Sequence, residues 1–461
     1  MELRAFVSRL WGTAVAWTWA FNALRLAAGL LLLPLLLRAL STPDLGMHYV
    51  FLSVAGLSMM LDFGLGQAAF RALCVAVAGG AELRAVGLAE PAATGSAPNE
   101  KLRWRIVVSL RSLYRGVALA AVVLVGVVGT GALEARFGET TSPYVTWLAW
   151  ALTIASVGWE LLAGWWGLVL LAHNQVVLAA RLNVVAYLVK LVGAAVLLVA
   201  GAGLASVPLA GLAASILQRH LLRRACMRLI GTPPSPEPAD VKWLLSNLWP
   251  TSWRQGVIAA ATYGSNAAVA FLCMALFGLE ASARYGLSLQ IVVFIQGIAS
   301  AWTQVKWPML MQQRAAGDFE AMRRLFGSRL RWQLATFIVL AVGAVVPAPA
   351  LVSWVSSTKE VLPPAWLGLL ALNGMLEMHL STWGMLITTE NRVPMLRAML
   401  VTAAASLAGA ALLINGTSLG VHAFVLAPLV AGVAFNYWFW PAHGAKGLGT
   451  GVCHVLSGGK G

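Results

Sequence analysis

The sequence predicts an all-α integral membrane protein, with about twelve transmembrane helices in two pseudo-symmetric six-helix lobes around a central cavity. Three observations lead there. Apolar residues make up 59% of the chain and charged residues 11%, whereas a soluble domain carries about 25% charged residues and needs them to face water. Apolar runs of about 18 residues or more recur down the chain, each long enough to cross a hydrocarbon core of about 30 Å as a helix. Lys and Arg gather at alternate ends of these runs. Leu, Ala, Val and Trp fill the runs without strict alternation, which argues against a β-barrel.

The first run follows Arg4 and Arg9 and at first resembles a signal peptide. It is long, contains Arg25 and lacks a small-residue cleavage site, so it reads as a retained first helix over 12–37. The remaining spans of the first half are 46–70, 113–133, 145–172, 182–201 and 203–223. Those of the second half are 250–277, 283–305, 330–353, 364–388, 394–413 and 418–440. With this assignment, 26 of the 32 Lys and Arg residues lie on the N-terminal side of the membrane. Four lie opposite (Arg38, Arg136, Arg284 and Lys359), and Arg25 and Lys190 fall within helices. Such a bias places both termini in the cytoplasm and supports an even number of spans. It also accounts for the net charge of +15 and suits a face against anionic lipid headgroups. Nucleic-acid binding is set aside, because no basic, aromatic-interleaved soluble domain is present to host it.

The loops divide the chain. Loops on the external side are short and leave no room for the acid/base loop of a membrane glycosyltransferase. Residues 79–105, rich in Ala, Gly and Pro, read as a flexible cytoplasmic loop. Thr232-Pro233-Pro234-Ser235-Pro236-Glu237-Pro238 is a stiff spacer near mid-chain. The expected organisation is an N-terminal six-helix lobe (1–231), a Pro-rich cytoplasmic linker (232–249), a C-terminal six-helix lobe (250–440) and a disordered cytoplasmic tail (441–461). Cys74, Cys226, Cys273 and Cys453 show no metal-ligand spacing and read as packing residues. P-loop and HExxH motifs are missing from the sequence, so neither ATP hydrolysis nor zinc-dependent catalysis is indicated, and no cofactor is expected.

An internal repeat supports the two-lobe reading. Glu160, Trp166, Gly167 and Asn174 recur as Glu377, Trp383, Gly384 and Asn391 at a constant offset of 217 residues. Ala39-Leu40, Asp44 and Tyr49 are echoed by Ala275-Leu276, Glu280 and Tyr285 at an offset of 236. Two six-helix halves of one orientation are a transporter architecture, with the substrate site between them.

The segment Ser41-Thr42-Pro43-Asp44-Leu45-Gly46-Met47-His48-Tyr49 continues to Leu61-Asp62-Phe63-Gly64-Leu65 and Arg71. It resembles the opening of the bacterial O-antigen and polysaccharide flippases of the multidrug/oligosaccharidyl-lipid/polysaccharide exporter superfamily. Ala283-Arg284-Tyr285-Gly286, Pro308 and Asp318–Leu325 fit the same pattern in the second half. The resemblance spans roughly residues 10–440. It implies two six-helix lobes forming a V and export of an undecaprenyl-pyrophosphate-linked glycan by alternating access. It further implies a monomer in a bacterial inner membrane, with the lipid-linked oligosaccharide, membrane lipids and a proton or sodium ion as partners. The chain departs from the family in its delayed aromatic, Tyr49, and in a cavity poor in cations.

Ionisable residues inside spans are costly and mark functional sites by default. At about 1.5 Å per residue, Arg25, Glu160 and Glu377 each lie roughly 20 Å from the cytoplasmic helix end, near the midplane. Asp62 and Lys190 form a second level roughly 12–14 Å in. Arg25 and Lys190 are the candidate substrate-binding residues, since guanidinium and ammonium groups bind phosphate oxygens. Glu160, Glu377 and Asp62 are the candidate coupling-ion or gating residues, because a carboxylate in a low-dielectric site can carry a proton near neutral pH. The competing reading pairs Arg25 permanently with Glu160 or Glu377 as structural glue. Trp165, Trp166 and Trp383 are candidate sugar contacts, with interface anchoring or core filling as the alternative. A cation-coupled drug exporter of the same superfamily is the nearest competing function, and a membrane glycosyltransferase or polymerase the more distant one.

Overall fold

Inside lipid the backbone must satisfy its own polar groups, and a helix does so within one segment. The protein, described here from a computed structural model, follows that rule. The structure describes residues 17, 24, 32–83, 97–231, 238–262, 269–304, 306–307, 309–310, 313, 318–355, 358–388 and 394–457. These residues contain helices and no strand. Among the described residues, helix occupies most of each expected span from 46–70 onward, and 32–37 of the first. Seven helical stretches among the described residues are long and apolar enough to cross a membrane. The chain divides into two compact units, Met1–Tyr263 and Gly264–Gly461.

In the first unit, residues 32–39 form α1 and Thr42–Leu61 form α2. Ser41 Oγ accepts from the Asp44 amide at 3.2 Å, which caps α2. Asp44 in turn accepts from the Thr141 amide at 3.0 Å and the Thr141 hydroxyl at 2.6 Å. The Ser41–Asp44 motif thus starts a helix and ties it to the loop entering the fourth span.

The second span is bent. After Leu61 the backbone turns through Phe63 (φ 49°) and Gly64 (φ 69°) before α3, Leu65–Val77. Asp62 holds this bend with both oxygens: Oδ2 accepts from the Gly66 amide at 3.0 Å, and Oδ1 accepts from Tyr114 Oη at 2.6 Å. Tyr114 belongs to α4, Glu100–Leu124, which a π-helical turn (Val125–Gly129) carries on toward Leu133. Asn99 caps α4 by accepting from the Leu102 amide at 3.0 Å, while its Nδ2 donates to the Gly80 carbonyl at 3.0 Å.

The fourth span runs as α5 (Pro143–Ala163) and α6 (Trp166–Ala172), broken at Gly164 and Trp165. Then come α7 (Val176–Val199) and α8 (Ser206–Ile230). A core of Leu73, Ile106, Leu110, Val169 and Leu222 joins α3, α4, α6 and α8.

Two loop expectations are corrected here. The flexible loop expected over 79–105 ends early, because Asn99 caps a helix whose Arg103 is buried and donates to the Ile230 carbonyl at 3.3 Å. Of the 232–249 linker, residues 232–237 lie outside the described residues, and its second part is helical: α9 spans Val241–Thr262. The cause is Asp240, an N-cap that accepts from the Trp243 amide at 2.9 Å. Asp240 also pairs with Arg105 at 2.9 Å, and the Arg105 guanidinium lies 4.0 Å over the Trp243 ring. The Trp243 amide and then Arg105 hold the exposed Asp240 carboxyl below the usual carboxylate range. Along its length α9 packs on α3 and α4. Phe63 stacks on Trp249 at 6.2 Å, and Gly256, where any Cβ would collide with Phe63, lets α9 approach the bend. This span therefore joins the compact unit ending at Tyr263 rather than one beginning at residue 250.

The second unit contains α10 (Val269–Phe277), α11 (Leu279–Gln304), α12 (Phe319–Val345), α13 (Ala348–Val355), α14 (Pro364–Thr388) and α15 (Leu396–Gly416). It ends with α16 (Ala423–Ala434), α17 (Asn436–Gly447) and α18 (Val452–Ser457). Asp318 caps α12 by accepting from the Ala321 amide at 2.9 Å. Gln333 of α12 is fully buried, accepts from Thr303 Oγ1 at 2.6 Å and donates to Thr382 Oγ1 at 2.8 Å, joining α11, α12 and α14. The tail expected to be disordered over 441–461 is, over the described residues 441–457, largely helical and packed. Ala445, Leu448 and Val455 enter a core with Met322, Phe326 and Trp383, and the Val455 carbonyl sits where a side chain at Gly327 would be.

Both halves of the repeat echo appear in the helices. Asp44 lies in the first turn of α2 and Glu280 in the first turn of α11. Their partners Tyr49 and Tyr285 are both buried.

Candidate functional site

Helices α2, α5, α7 and α8 line an open cavity of about 230 Å³ within the first unit. Glu160 enters it from α5 and Lys190 from α7. Two ionisable residues from different spans and different expected depths thus share one cavity. Small side chains make the room: Lys190 Cε lies 3.8 Å from where a Cβ on Gly211 would stand. The Lys190 ammonium also lies 6.0 Å from the centre of the Tyr187 ring, one turn back on α7.

Polar groups complete the lining. His48, from the first motif, is buried within electrostatic reach of Lys190. Asn183 accepts from Gln218 Nε2 at 2.7 Å, joining α7 to α8 across the wall. The hydroxyls of Thr153 and Ser156 bond to carbonyls of their own helix, at 2.8 Å each. Glu160 lies within electrostatic reach of Arg219 on α8. A cavity holding one carboxylate, one ammonium and an imidazole can receive an anionic group at Lys190 and a cation at Glu160. Among the described residues no cluster of His, Cys, Asp and Glu could hold a metal ion.

The other candidates lie elsewhere. Asp62 is at the bend of the second span, with both oxygens hydrogen-bonded. Glu377 is in the second unit, on α14, where it hydrogen-bonds Asn373. Asn373 Oδ1 also accepts from Tyr437 Oη at 2.8 Å, and the buried Tyr285 is within electrostatic reach of Glu377. The glutamates of the repeat therefore each sit in a polar cluster of their own unit. Arg25 lies outside the described residues, as do Pro308 and Asn391.

The tryptophans of the repeat differ. Trp383 is fully buried, edge-on to Phe326 at 4.8 Å, and donates from Nε1 to His379 at 3.1 Å. That is a core-filling residue. Trp166 is half-buried and stacks on Trp165 at 4.1 Å.

His48, Asn183, Gln218 and Arg219 were not singled out by the sequence. The signal was weak for the uncharged groups, because Asn, Gln and Thr in spans are often satisfied by neighbouring helices. Arg219 was counted among the cytoplasmic charges, although it stands one turn before Arg223 on the same face.

No protein-family model matches the chain, and none of the curated proteins matches it in sequence. Solved structures do match in fold. One is the inward-facing conformation of a multidrug resistance MATE family transporter of the MOP superfamily, with TM-score 0.59 at 14% identity, covering 93% of this chain and 95% of that one. A second is a point mutant of the Vibrio cholerae MATE transporter VcmN, with TM-score 0.59 at 15% identity, covering 95% and 98%. A third is the lipid II flippase MurJ in an inward closed conformation, with TM-score 0.58 at 14% identity, covering 95% and 89%. The likeness shows the fold: an all-α architecture shared with these proteins along nearly the full chain.

Proposed function

We propose that the chain flips an undecaprenyl-pyrophosphate-linked oligosaccharide, an O-antigen or exopolysaccharide unit, across a bacterial inner membrane by alternating access. The observation that carries this reading is the cavity in which Lys190 stands with Glu160 and His48. An ammonium group in a low-dielectric cavity attracts the phosphates of a lipid carrier and repels a cationic drug. Arg25, placed by its sequence depth at the midplane, supplies a second cation for the pyrophosphate in this proposal. Glu160 and Glu377 are the proposed sites of the coupling proton or sodium ion, one in each half of the repeat. Asp62 belongs to the gating machinery through the bend it holds. Both termini are cytoplasmic and the protein acts as a monomer.

A second reading, a cation-coupled multidrug exporter, is favoured by the MATE neighbours and by the intramembrane carboxylates. Proteoliposomes separate the two. A fluorescent undecaprenyl-pyrophosphate oligosaccharide and a cationic dye are presented separately to the reconstituted full chain. The flippase reading predicts movement of the glycolipid and none of the dye. Dye export without glycolipid movement contradicts it.

A further inference from the structure

A larger cavity, of about 480 Å³, opens between α4, α5, α6 and α8 of the first unit. It is not the cavity that holds Lys190. Consecutive residues of α5 and α8 serve the two: Glu160 and Gln218 line the smaller, Trp159 and Arg219 the larger. Four arginines converge on the larger one. Arg111 and Arg115 come from successive turns of α4, and Arg219 and Arg223 from successive turns of α8. His220 joins them, and no carboxylate is among the lining residues.

Glu160 is within electrostatic reach of Arg219, but one carboxylate outside the lining does not balance four guanidinium groups, and such a concentration of like charge is unfavourable without a further anion to offset it. Two buried donors point to the same need. Arg219 Nε and Trp159 Nε1 are buried without a hydrogen-bond partner among the described residues. A buried donor left unpaired is costly, and a ligand oxygen would satisfy it. Trp165 and Trp166, stacked on each other, form an aromatic wall.

The position selects the kind of anion. All four arginines lie near the ends of the expected spans 113–133 and 203–223, on the side that the charge distribution expects to be cytoplasmic, where inner-leaflet headgroups stand. The rim is apolar: Leu162 and Leu217 line the cavity, and Ile216 is 45% exposed beside Arg219. Guanidinium groups match phosphate oxygens, tryptophans favour the interface, and exposed aliphatic side chains suit an acyl chain. We propose that this pocket is a binding site for the phosphate of an anionic lipid headgroup, built by Arg111, Arg115, Arg219 and Arg223. The site stands whether or not the chain moves a lipid-linked glycan, because occupancy alone is claimed.

The test is native mass spectrometry of the full chain in neutral detergent, titrated with phosphatidylglycerol, phosphatidylcholine and inorganic pyrophosphate. Arg115→Gln/Arg223→Gln removes two exposed arginines and leaves the half-buried Arg219 in place. Arg224→Gln, on α8 but outside the pocket, is the control. The expected result is phosphatidylglycerol bound about tenfold or more tighter than phosphatidylcholine, with that preference lost in the double variant and kept in the control. Equal binding of the two lipids, or equal losses in the double variant and the control, overturns the site. Pyrophosphate binding that the double variant loses, with no preference for phosphatidylglycerol, overturns the lipid source and assigns the pocket to soluble phosphates.

Discussion

Glu160 and Lys190 are the residues on which the functional reading rests, and their physical roles are separable. Glu160→Gln keeps the shape of the side chain and removes its charge. If Glu160 carries the coupling ion, accumulation driven by a proton or sodium gradient falls about tenfold or more while equilibrium exchange persists. Initial rates in proteoliposomes with and without the gradient measure this, and undiminished gradient dependence assigns coupling elsewhere. Both residues stand out in the sequence because an ionisable group inside a span is costly, and the structure brings them to one cavity. Their neighbours were not. His48 was read only as part of a helix-opening motif, and the Asn183–Gln218 bond joins residues 35 apart. Trp166 and Trp383 occupy equivalent repeat positions, yet one faces a pocket and the other fills a core. Sequence equivalence gave the position along the helix but not what packs against it.

Among the elements, the bend at Asp62–Gly64 sets how α2 and α3 meet α4 and α9. Gly64 has φ 69°, where a Cβ costs about 1–2 kcal/mol. Gly64→Ala is therefore expected to destabilise the protein by about that amount, as a lowered melting temperature in detergent. A melting temperature equal to wild type contradicts the strained bend. The start of α9 gives a pH prediction. The Asp240 carboxyl titrates below the usual carboxylate range in the folded chain, so its contribution is present above that range and is lost as pH falls through its folded value. The stability gap between wild type and Asp240→Asn is expected at neutral pH and to close in acid. A gap that persists in acid contradicts this origin. These elements also mark where sequence reading stopped. The α14 boundaries at Pro364 and Thr388 coincide with the expected span, because an apolar run between polar flanks is unambiguous. The start of α9 and the packed tail were missed because proline and glycine signals outweighed the Asp240 cap and the spaced apolar residues Ala445, Leu448 and Val455.

At the scale of the molecule, composition and run length sufficed for an all-α membrane protein, and the fold shared with MATE transporters and MurJ agrees. The 217-residue offset was legible because Glu and Trp are rare enough inside spans to stand out. The boundary between compact units was not, because the interlocking of Phe63 with Trp249 and Gly256 draws α9 into the first unit. In the proposed function, substrate choice rests on a cavity assembled from four helices, and no linear motif encodes that assembly. The central claim is that Lys190 makes this cavity a site for an anionic lipid-linked substrate. The most direct test is the concentration dependence of glycolipid translocation in proteoliposomes, with wild type beside Lys190→Gln. Loss of one charge-assisted contact is expected to raise the half-saturating glycolipid concentration about tenfold or more without abolishing insertion or folding. Identical curves for the two proteins, or a wild type that moves no glycolipid, contradict the claim.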